Sequence, residues 1–465
     1  MSMQRRTFLS LLALPAVAQL LQSCGDEAAD EPSSTPTAPT VPADGAGHSS
    51  LKGSAPLVAT TPDDALAGSA AINAFSADLY ERLVAADPTA NVVFSPASIA
   101  LALAMTSAGA KGATLQEMNT VLHITEPGTI HRSMNALGTA LQTLNQVRDN
   151  TAEGGTGTSE VQLSIANSLW GQSGLAFEQA FLDLLSAEYD AGLELVDYAT
   201  DPEAARAAIN EWVAQQTNDR IPELLVEGTI TPDARLTLVN AIYLKANWAT
   251  TFDAEQTTDQ PFATPAGEVS AAMMHASADF GYAAGQGWQA VDLPYVFGGL
   301  SLTAALVEAD APLPSADEVF AALAGRPVQL SFPRFDIETS VELSRVLEAM
   351  GMPTAFSGAA DFSGMTTAAS LTIGAVVHQA NITVDEEGTE AAAATAAVAG
   401  ATSMPIRDEL VVDRPFLFVI HDAARPLVSD EMIDRVIVEA RKGHGAIAAL
   451  SVAATPKRAA AHGRI

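Results

Sequence analysis

The sequence predicts one large α+β domain, and three observations predict it. Helix start signals and long strand-like runs follow one another without a regular β-α-β alternation, and no internal repeat is present. With 48% hydrophobic and 17% charged residues over 465 positions, the chain has ample material for a buried core and is not a disordered polypeptide. Its single cysteine, Cys24, excludes an intrachain disulfide framework and any multi-cysteine zinc or iron-sulfur site, so packing holds the fold. The balance of 23 Lys+Arg against 55 Asp+Glu gives a formal charge of −32, a field that repels nucleic acid and anionic headgroups.

Taken in order, the chain opens with Arg5 and Arg6 ahead of an apolar run from Phe8 to Leu21. That run is too short to span a bilayer comfortably and has the layout of an export signal, residues 1–23. Arg5-Arg6-Thr7-Phe8-Leu9 resembles a twin-arginine export motif of bacterial type, and Leu21-Gln22-Ser23-Cys24 resembles a lipobox. Cys24 is therefore the expected lipid attachment site; the alternative is an ordinary Sec signal with an incidental cysteine. The protein is expected to be exported to the cell envelope or beyond, with membrane contact only through that lipid. Residues 24–60 are rich in Pro, Ser, Thr and Ala without periodicity and read as a flexible tether.

The domain is expected over 61–419. Ile72, Phe75, Leu79 and Leu83 recur at three- and four-residue spacings, predicting an amphipathic helix. Ser95-Pro96 supplies a cap and a first-turn proline for a helix buried all round, ended by Gly109 and Gly112; Asp201-Pro202 repeats the signal. Strands are predicted at Leu236 to Leu244, Ser301 to Val307, Gln329 to Ile337, Thr372 to Val384 and Phe416 to Ile420.

The most unusual stretch is Glu386-Glu387-Gly388-Thr389-Glu390-Ala391-Ala392-Ala393-Ala394-Thr395, continuing in small residues to Gly400. Alone it reads as an alanine-rich helix or a low-complexity linker. It nevertheless joins two strong strands across roughly 30 residues, where connections are usually short, and such a loop usually has a function.

These residues resemble the reactive-loop hinge of the serpin family. The resemblance extends through Phe94-Ser95-Pro96-Ala97-Ser98-Ile99, Asn167-Ser168-Leu169-Trp170, Leu238 to Trp248, Leu293-Pro294-Tyr295 and Phe332-Pro333-Arg334-Phe335, in the order and approximate spacing the family uses. It implies a serpin fold: a large central sheet, two smaller sheets, about eight or nine helices and an exposed reactive loop. It implies a suicide inhibitor, in which a serine protease attacks the loop and the cleaved loop enters the large sheet as a new strand. The residues suit that role, since nothing after Glu390 as far as Ala401 is larger than valine and no proline interrupts. A period of two would turn Thr389, Ala391, Ala393 and Thr395 inward and Glu390, Ala392 and Ala394 outward.

The resemblance also implies a polar shutter at Ser95, Ser98, Asn240 and His378, and a breach at Trp248, where insertion begins. Counting from Glu386 puts the reactive bond between Thr402 and Ser403, with Ala401-Thr402 and Ser403-Met404 as neighbours. Small residues there suit elastase-like or subtilisin-like proteases. The partner implied is a serine protease held in a covalent acyl complex; a monomer is expected, with no cofactor, no metal and no catalytic residue of its own. The alternative is a non-inhibitory serpin-like binding protein.

From His421 the pattern changes. His421-Asp422-Ala423-Ala424-Arg425-Pro426 and the residues after it resemble a fragment of methylerythritol phosphate cytidylyltransferase, in which Asp422 would help hold a nucleotide's metal. The glycine-rich loop that cradles the triphosphate in that family is missing, so cytidylyl transfer is not expected. Residues 420–465 are thus an atypical tail, and a fusion product inactivated by it is a further alternative. Ile433 to Ile437, or Ala446 to Val452, could replace the strand with which a serpin ends. No His-Glu-x-x-His, Gly-x-Ser-x-Gly or phosphate-binding loop supports an enzyme.

Overall fold

The computed structural model describes residues 47–86, 90–149, 158–264, 266–308, 311, 316–389, 407–422 and 447–450. Residues 1–46, with Cys24, lie outside the described residues.

The central sheet contains β1 (Ser49–Leu51), β3 (Gln146–Asp149), β4 (Thr158–Gln172), β5 (Leu193–Val196), β6 (Leu236–Asn247), β12 (Phe335–Glu342), β13 (Ala375–Val384) and β14 (Gly388–Thr389). Their order is β1-β5-β4-β6-β14-β13-β12, with β3 on β4 and a direct β6–β13 pairing besides. The second sheet runs β15 (Asp408–Val411), β11 (Ala324–Pro333), β8 (Gly267–Gly285), β9 (Trp288–Pro294), β10 (Leu300–Val307), β16 (Leu417–Asp422), β17 (Ile447–Leu450), β2 (Val92–Phe94), with β7 (Thr258–Thr264) on β8. The two smaller sheets expected beside the large one thus form a single ladder. The reason is β8, 19 residues long, which pairs β7 first, then β11, then β9.

Eight α-helices are described: α1 (Pro62–Ala86), α2 (Pro96–Ser107), α3 (Gly112–Val121), α4 (Ile130–Gln142), α5 (Gln179–Tyr189), α6 (Pro202–Gln216), α7 (Ala316–Ala322) and α8 (Ser344–Met350). The cap signals act as read: the Ser95 side chain accepts from the Ser98 amide and Asp201 from Ala204. Every residue of α2 is buried, as its all-round apolar sequence requires.

Burial on two faces explains why β6 shows no alternation in sequence. Leu236, Leu238, Ile242 and Leu244 join the main core between the sheets, whereas Val239 and Ala241 pack in a separate cluster with Ile209 and Val213 of α6.

Two further sequence expectations change. Gln329 to Ile337 is not one strand, because β11 and β12 belong to different sheets. The chain switches at Arg334, whose amide donates to the Ala272 carbonyl at 2.8 Å. The tether expected to residue 60 gives way earlier: Ser49–Leu51 pairs antiparallel with β5, and the Ser54 amide donates to Asp183. An exposed strand edge offers backbone partners to a segment too short and polar to announce itself.

Candidate functional site

The site is a fork in the central sheet. Over Ala375 to Ala380, β13 lies parallel to β6 over Thr237 to Ile242. Further along, the strands part and β14 lies between them, Gly388 and Thr389 facing Asn247 and Ala246 of β6 and Thr389 facing Val384 of β13.

Below the fork, register brings three polar side chains abreast. Asn167 of β4 pairs Asn240, and Asn240 pairs His378 of β13. The two-residue period turns all three toward the side where Leu238, Ile242, Val376 and Ala380 join the main core, against the start of α2. Asn240 donates to Ser98 Oγ and to Asn167 Oδ1, and accepts from His378 Nδ1. Ser98 Oγ donates to Asn167 Oδ1 at 3.0 Å, and the Ser95 amide donates to His378 Nε2 at 3.1 Å. Ser95, Ser98, Asn240 and His378 therefore sit in one network that ties α2 to both strands of the fork.

The hydrogen bonds fix His378 as the neutral Nδ1–H tautomer, because Nε2 must accept. Burial pushes its pKa down from 6.5 to about 3. Above 6.5 the folded and unfolded states are both neutral at this ring. As pH falls below 6.5, the unfolded chain takes up the proton first. Unfolding free energy should then fall by about 1.4 kcal/mol per pH unit toward the folded value. Denaturant titrations of the parent and of His378→Gln between about pH 7.5 and pH 5 check this, since the variant should lose that part of the slope. Equal slopes would contradict it.

At the mouth of the fork, Trp248 Nε1 donates to the Asp385 carbonyl at 3.0 Å, and its amide donates to the Glu387 carbonyl at 2.8 Å. Its ring stacks on Tyr295 at 4.5 Å. Tyr295 Oη meets Thr389 Oγ1 at 2.7 Å, and both residues are fully buried. Burial pushes the Tyr295 pKa well up, so the hydroxyl stays protonated. The Phe252 amide donates to the Glu386 carbonyl, and Glu386 Oε1 accepts from Thr257 Oγ1 at 2.6 Å and faces Arg334 at 3.7 Å. Those partners compensate a buried carboxylate that would otherwise be costly. Asp385 Oδ1 accepts from the Glu387 and Gly388 amides at 2.9 and 3.1 Å, closing the turn. A Cβ at Gly388 would stand 2.1 Å from the Ala246 carbonyl oxygen, so the entering strand requires glycine there.

Of the expected hinge, Glu386, Glu387, Gly388 and Thr389 are described; Glu390, Ala391, Ala392, Ala393, Ala394 and Thr395 lie outside the described residues, as do Thr402 and Ser403. Sequence reading gave no site role to Asn167, Tyr295, Arg334 or Asp385. Asn167, Tyr295 and Arg334 stand inside quoted motifs, but their roles appear only with the cross-strand register.

At the fork itself, a cavity of about 20 Å³ is lined by Ile242 and Leu244 on one strand, Ala380 and Ile382 on the other, and Val93, Asn381 and Phe418.

Comparison with known proteins is extensive. A family model described as Serpin (serine protease inhibitor) matches residues 70–428. A leukocyte elastase inhibitor of Xenopus laevis is 34% identical over 378 residues, covering 77% of this chain and 97% of its own. Serpin B8 of Homo sapiens is 37% identical over 360 residues, covering 74% and 93%. Among solved structures, the native state of the thermophilic serpin tengpin aligns with a TM-score of 0.68 at 26% identity, covering 81% of this chain and 95% of that one. Uncleaved ovalbumin aligns with a TM-score of 0.67 at 25% identity, covering 78% and 97%.

Proposed function

The chain belongs to the serpin family, and from that premise we propose that it is a serine protease inhibitor acting as a suicide substrate, through insertion of its cleaved loop into the fork. The register of β14 carries this reading. Continued along β6, the antiparallel pairing sets Ala391 opposite Leu244, Ala393 opposite Ile242 and Thr395 opposite Asn240. Continued along β13, it sets the same residues opposite Ile382, Ala380 and His378. The two counts agree with the direct pairing of Asn240 with His378. The inward residues Ala391 and Ala393 meet Ile242, Leu244, Ala380 and Ile382, which line the fork cavity and where larger side chains would overpack. Glu390 turns to the other face, beside Lys245. Thr395 arrives where Asn240 and His378 now bond each other, so that bond is the gate to full insertion.

Chemically, the serine of an attacking protease would attack the Thr402 carbonyl, or that of a neighbouring residue, and become acylated by it as the peptide bond breaks and the Ser403 nitrogen takes up a proton and leaves as a new amino terminus. Insertion then carries the acylated protease away before water completes hydrolysis. Small residues around the bond favour elastase-like or subtilisin-like targets, and the inhibitor works as a monomer. Cleavage adds a strand to the sheet, so the cleaved protein should unfold at a higher temperature than the intact one. Thermal scans before and after limited proteolysis test the insertion step. An unchanged or lower midpoint would contradict it.

We also propose export by the twin-arginine route in a bacterial cell and anchoring at the envelope through Cys24; the order of Arg5-Arg6, the apolar run and Leu21 to Cys24 supports both. The Cys24→Ala variant should leave the membrane fraction almost entirely and incorporate no labelled lipid. Equal retention of both forms would sink the anchor. We propose further that the tail after Ile420 derives from a cytidylyltransferase-like fragment, a reading supported by His421-Asp422-Ala423-Ala424-Arg425-Pro426, without a phosphate-cradling loop to give it that activity.

A further inference from the structure

Another cavity, of about 550 Å³, lies between α1, α3 and α4, and none of its lining residues belongs to either sheet. One wall is α1, which offers only the methyl groups of Ala70, Ala71 and Ala74; Ile124 and Ile130 extend this apolar surface. Three alanines on one helix leave open the space that larger side chains would fill. His123 holds the helices in place around it. Its backbone is left-handed, with φ 54°, and its Nε2 lies 2.6 Å from Asp78 Oδ2, which ties the end of α3 to α1.

The polar atoms of the cavity are acceptors. Asn119 Oδ1 is buried and has no hydrogen-bond partner among the described residues, a state that folded proteins rarely leave unmet. Thr120 Oγ1 gives its proton to the Gln116 carbonyl at 2.9 Å, and Thr129 Oγ1 gives its own to the Glu126 carbonyl at 3.0 Å. Both hydroxyls therefore have only lone pairs left to offer. Glu126 adds an exposed carboxylate at the rim, and no Lys or Arg lines the cavity. Asn119 and Thr120 stand in the last turn of α3, the negative end of that helix, which carries no basic residue. The first turn of α4, of opposite sign, also borders the cavity, and Glu126 just ahead of its Thr129 cap offsets it.

We propose that this cavity binds an aliphatic ammonium ion, a diamine or polyamine, with its methylene chain on the alanine wall and an ammonium group on Asn119 Oδ1. An ammonium brings three N–H donors and no acceptor, the complement of this lining. An apolar chamber of this size with a few placed polar groups is the usual form of a small-molecule site. The formal charge of −32 raises the concentration of cations around the molecule. A neutral alcohol could serve Asn119 with one proton but gains nothing from Glu126, and an anion is repelled by it. Binding here is separate from protease trapping and can fail or succeed without it.

Isothermal titration calorimetry of the full-length protein with the diamine putrescine tests the proposal, at physiological ionic strength, which screens loose attraction to the acidic surface. Putrescine should bind saturably at one site per chain. Butanol and butyrate, neutral and anionic molecules of the same chain length, should bind at least about tenfold more weakly. Asn119→Leu removes the buried acceptor and should weaken putrescine by at least about tenfold, whereas Asn119→Asp should strengthen it. Glu126→Gln should weaken it too; Glu255→Gln, which removes the same charge from an exposed turn ahead of β7, should not. Ala70→Leu fills the cavity from an exposed position of α1. It should block binding while leaving the thermal midpoint of the unliganded protein within about 2 °C of the parent. Absence of saturable binding, butanol binding as tightly as putrescine, or Asn119→Leu and Ala70→Leu both binding like the parent would each overturn the proposal.

Discussion

Replacing Thr389 by arginine should turn the inhibitor into a substrate. Thr389 is wholly buried between β6 and β13, with its hydroxyl on Tyr295, and it is the leading inward residue of the strand that must grow. A guanidinium would take the place of a hydroxyl bonded to Tyr295, in a pocket where Asp385 and Glu386 are already engaged at the turn outside. Burying a charge unpaired costs several kcal/mol, and each 1.4 kcal/mol on the insertion barrier is tenfold in rate. Insertion should slow by at least about 100-fold, long enough for the acyl bond to hydrolyse. The readout is the ratio of covalent complex to cleaved, released protein, which should fall from a majority to a few per cent. Thr389→Val keeps the shape and loses only the hydroxyl contact, about 1 kcal/mol, so it should still inhibit. Equal complex formation by the parent and the arginine variant would argue against insertion.

The second large effect is expected at the gate. Asn240→Ala removes the donor to Ser98 and Asn167 and strips His378 Nδ1–H of its acceptor, all within the core. An orphaned buried donor costs about 1–3 kcal/mol, and the space vacated adds to that, so a loss near 3 kcal/mol is expected. Because the network joins β6 to β13, the loss should appear locally. Amides of 375–380 should exchange about 100-fold faster, while those of α6 change much less. A uniform change over the molecule would mean that the network stabilises the fold without guarding the fork. Asn240→Asp is no substitute test, since it introduces a buried charge.

What could be read from sequence follows a physical line. α2, its Ser95 cap and the small-residue loop were legible because their signals are local: a hydroxyl before a proline, an apolar run, ten residues without bulk. The polar shutter was reached through resemblance. Its physical basis, that Asn167, Asn240 and His378 lie abreast, depends on strand register, which no single segment contains. The break at Arg334 was invisible because Pro333-Arg334-Phe335 continues an apolar strand pattern, and its cause is a carbonyl at Ala272, distant in sequence. Ser49–Leu51 was lost in a polar stretch because the edge of β5 supplies what its own residues do not. β17 falls within Ala446 to Val452, one of the two candidate strands of the tail, but which of the two would pair, and with which neighbours, depends on the flanking strands.

The central claim is that cleavage of the loop triggers trapping of the protease. Purified full-length protein, incubated in turn with an elastase-like, a subtilisin-like and a trypsin-like serine protease, should give with one of the first two a complex that survives denaturing electrophoresis. It should also release a carboxy-terminal fragment whose first residue lies within two positions of Ser403. Cleavage at that point with every protease released active, and no denaturation-resistant complex from any of them, would contradict the account.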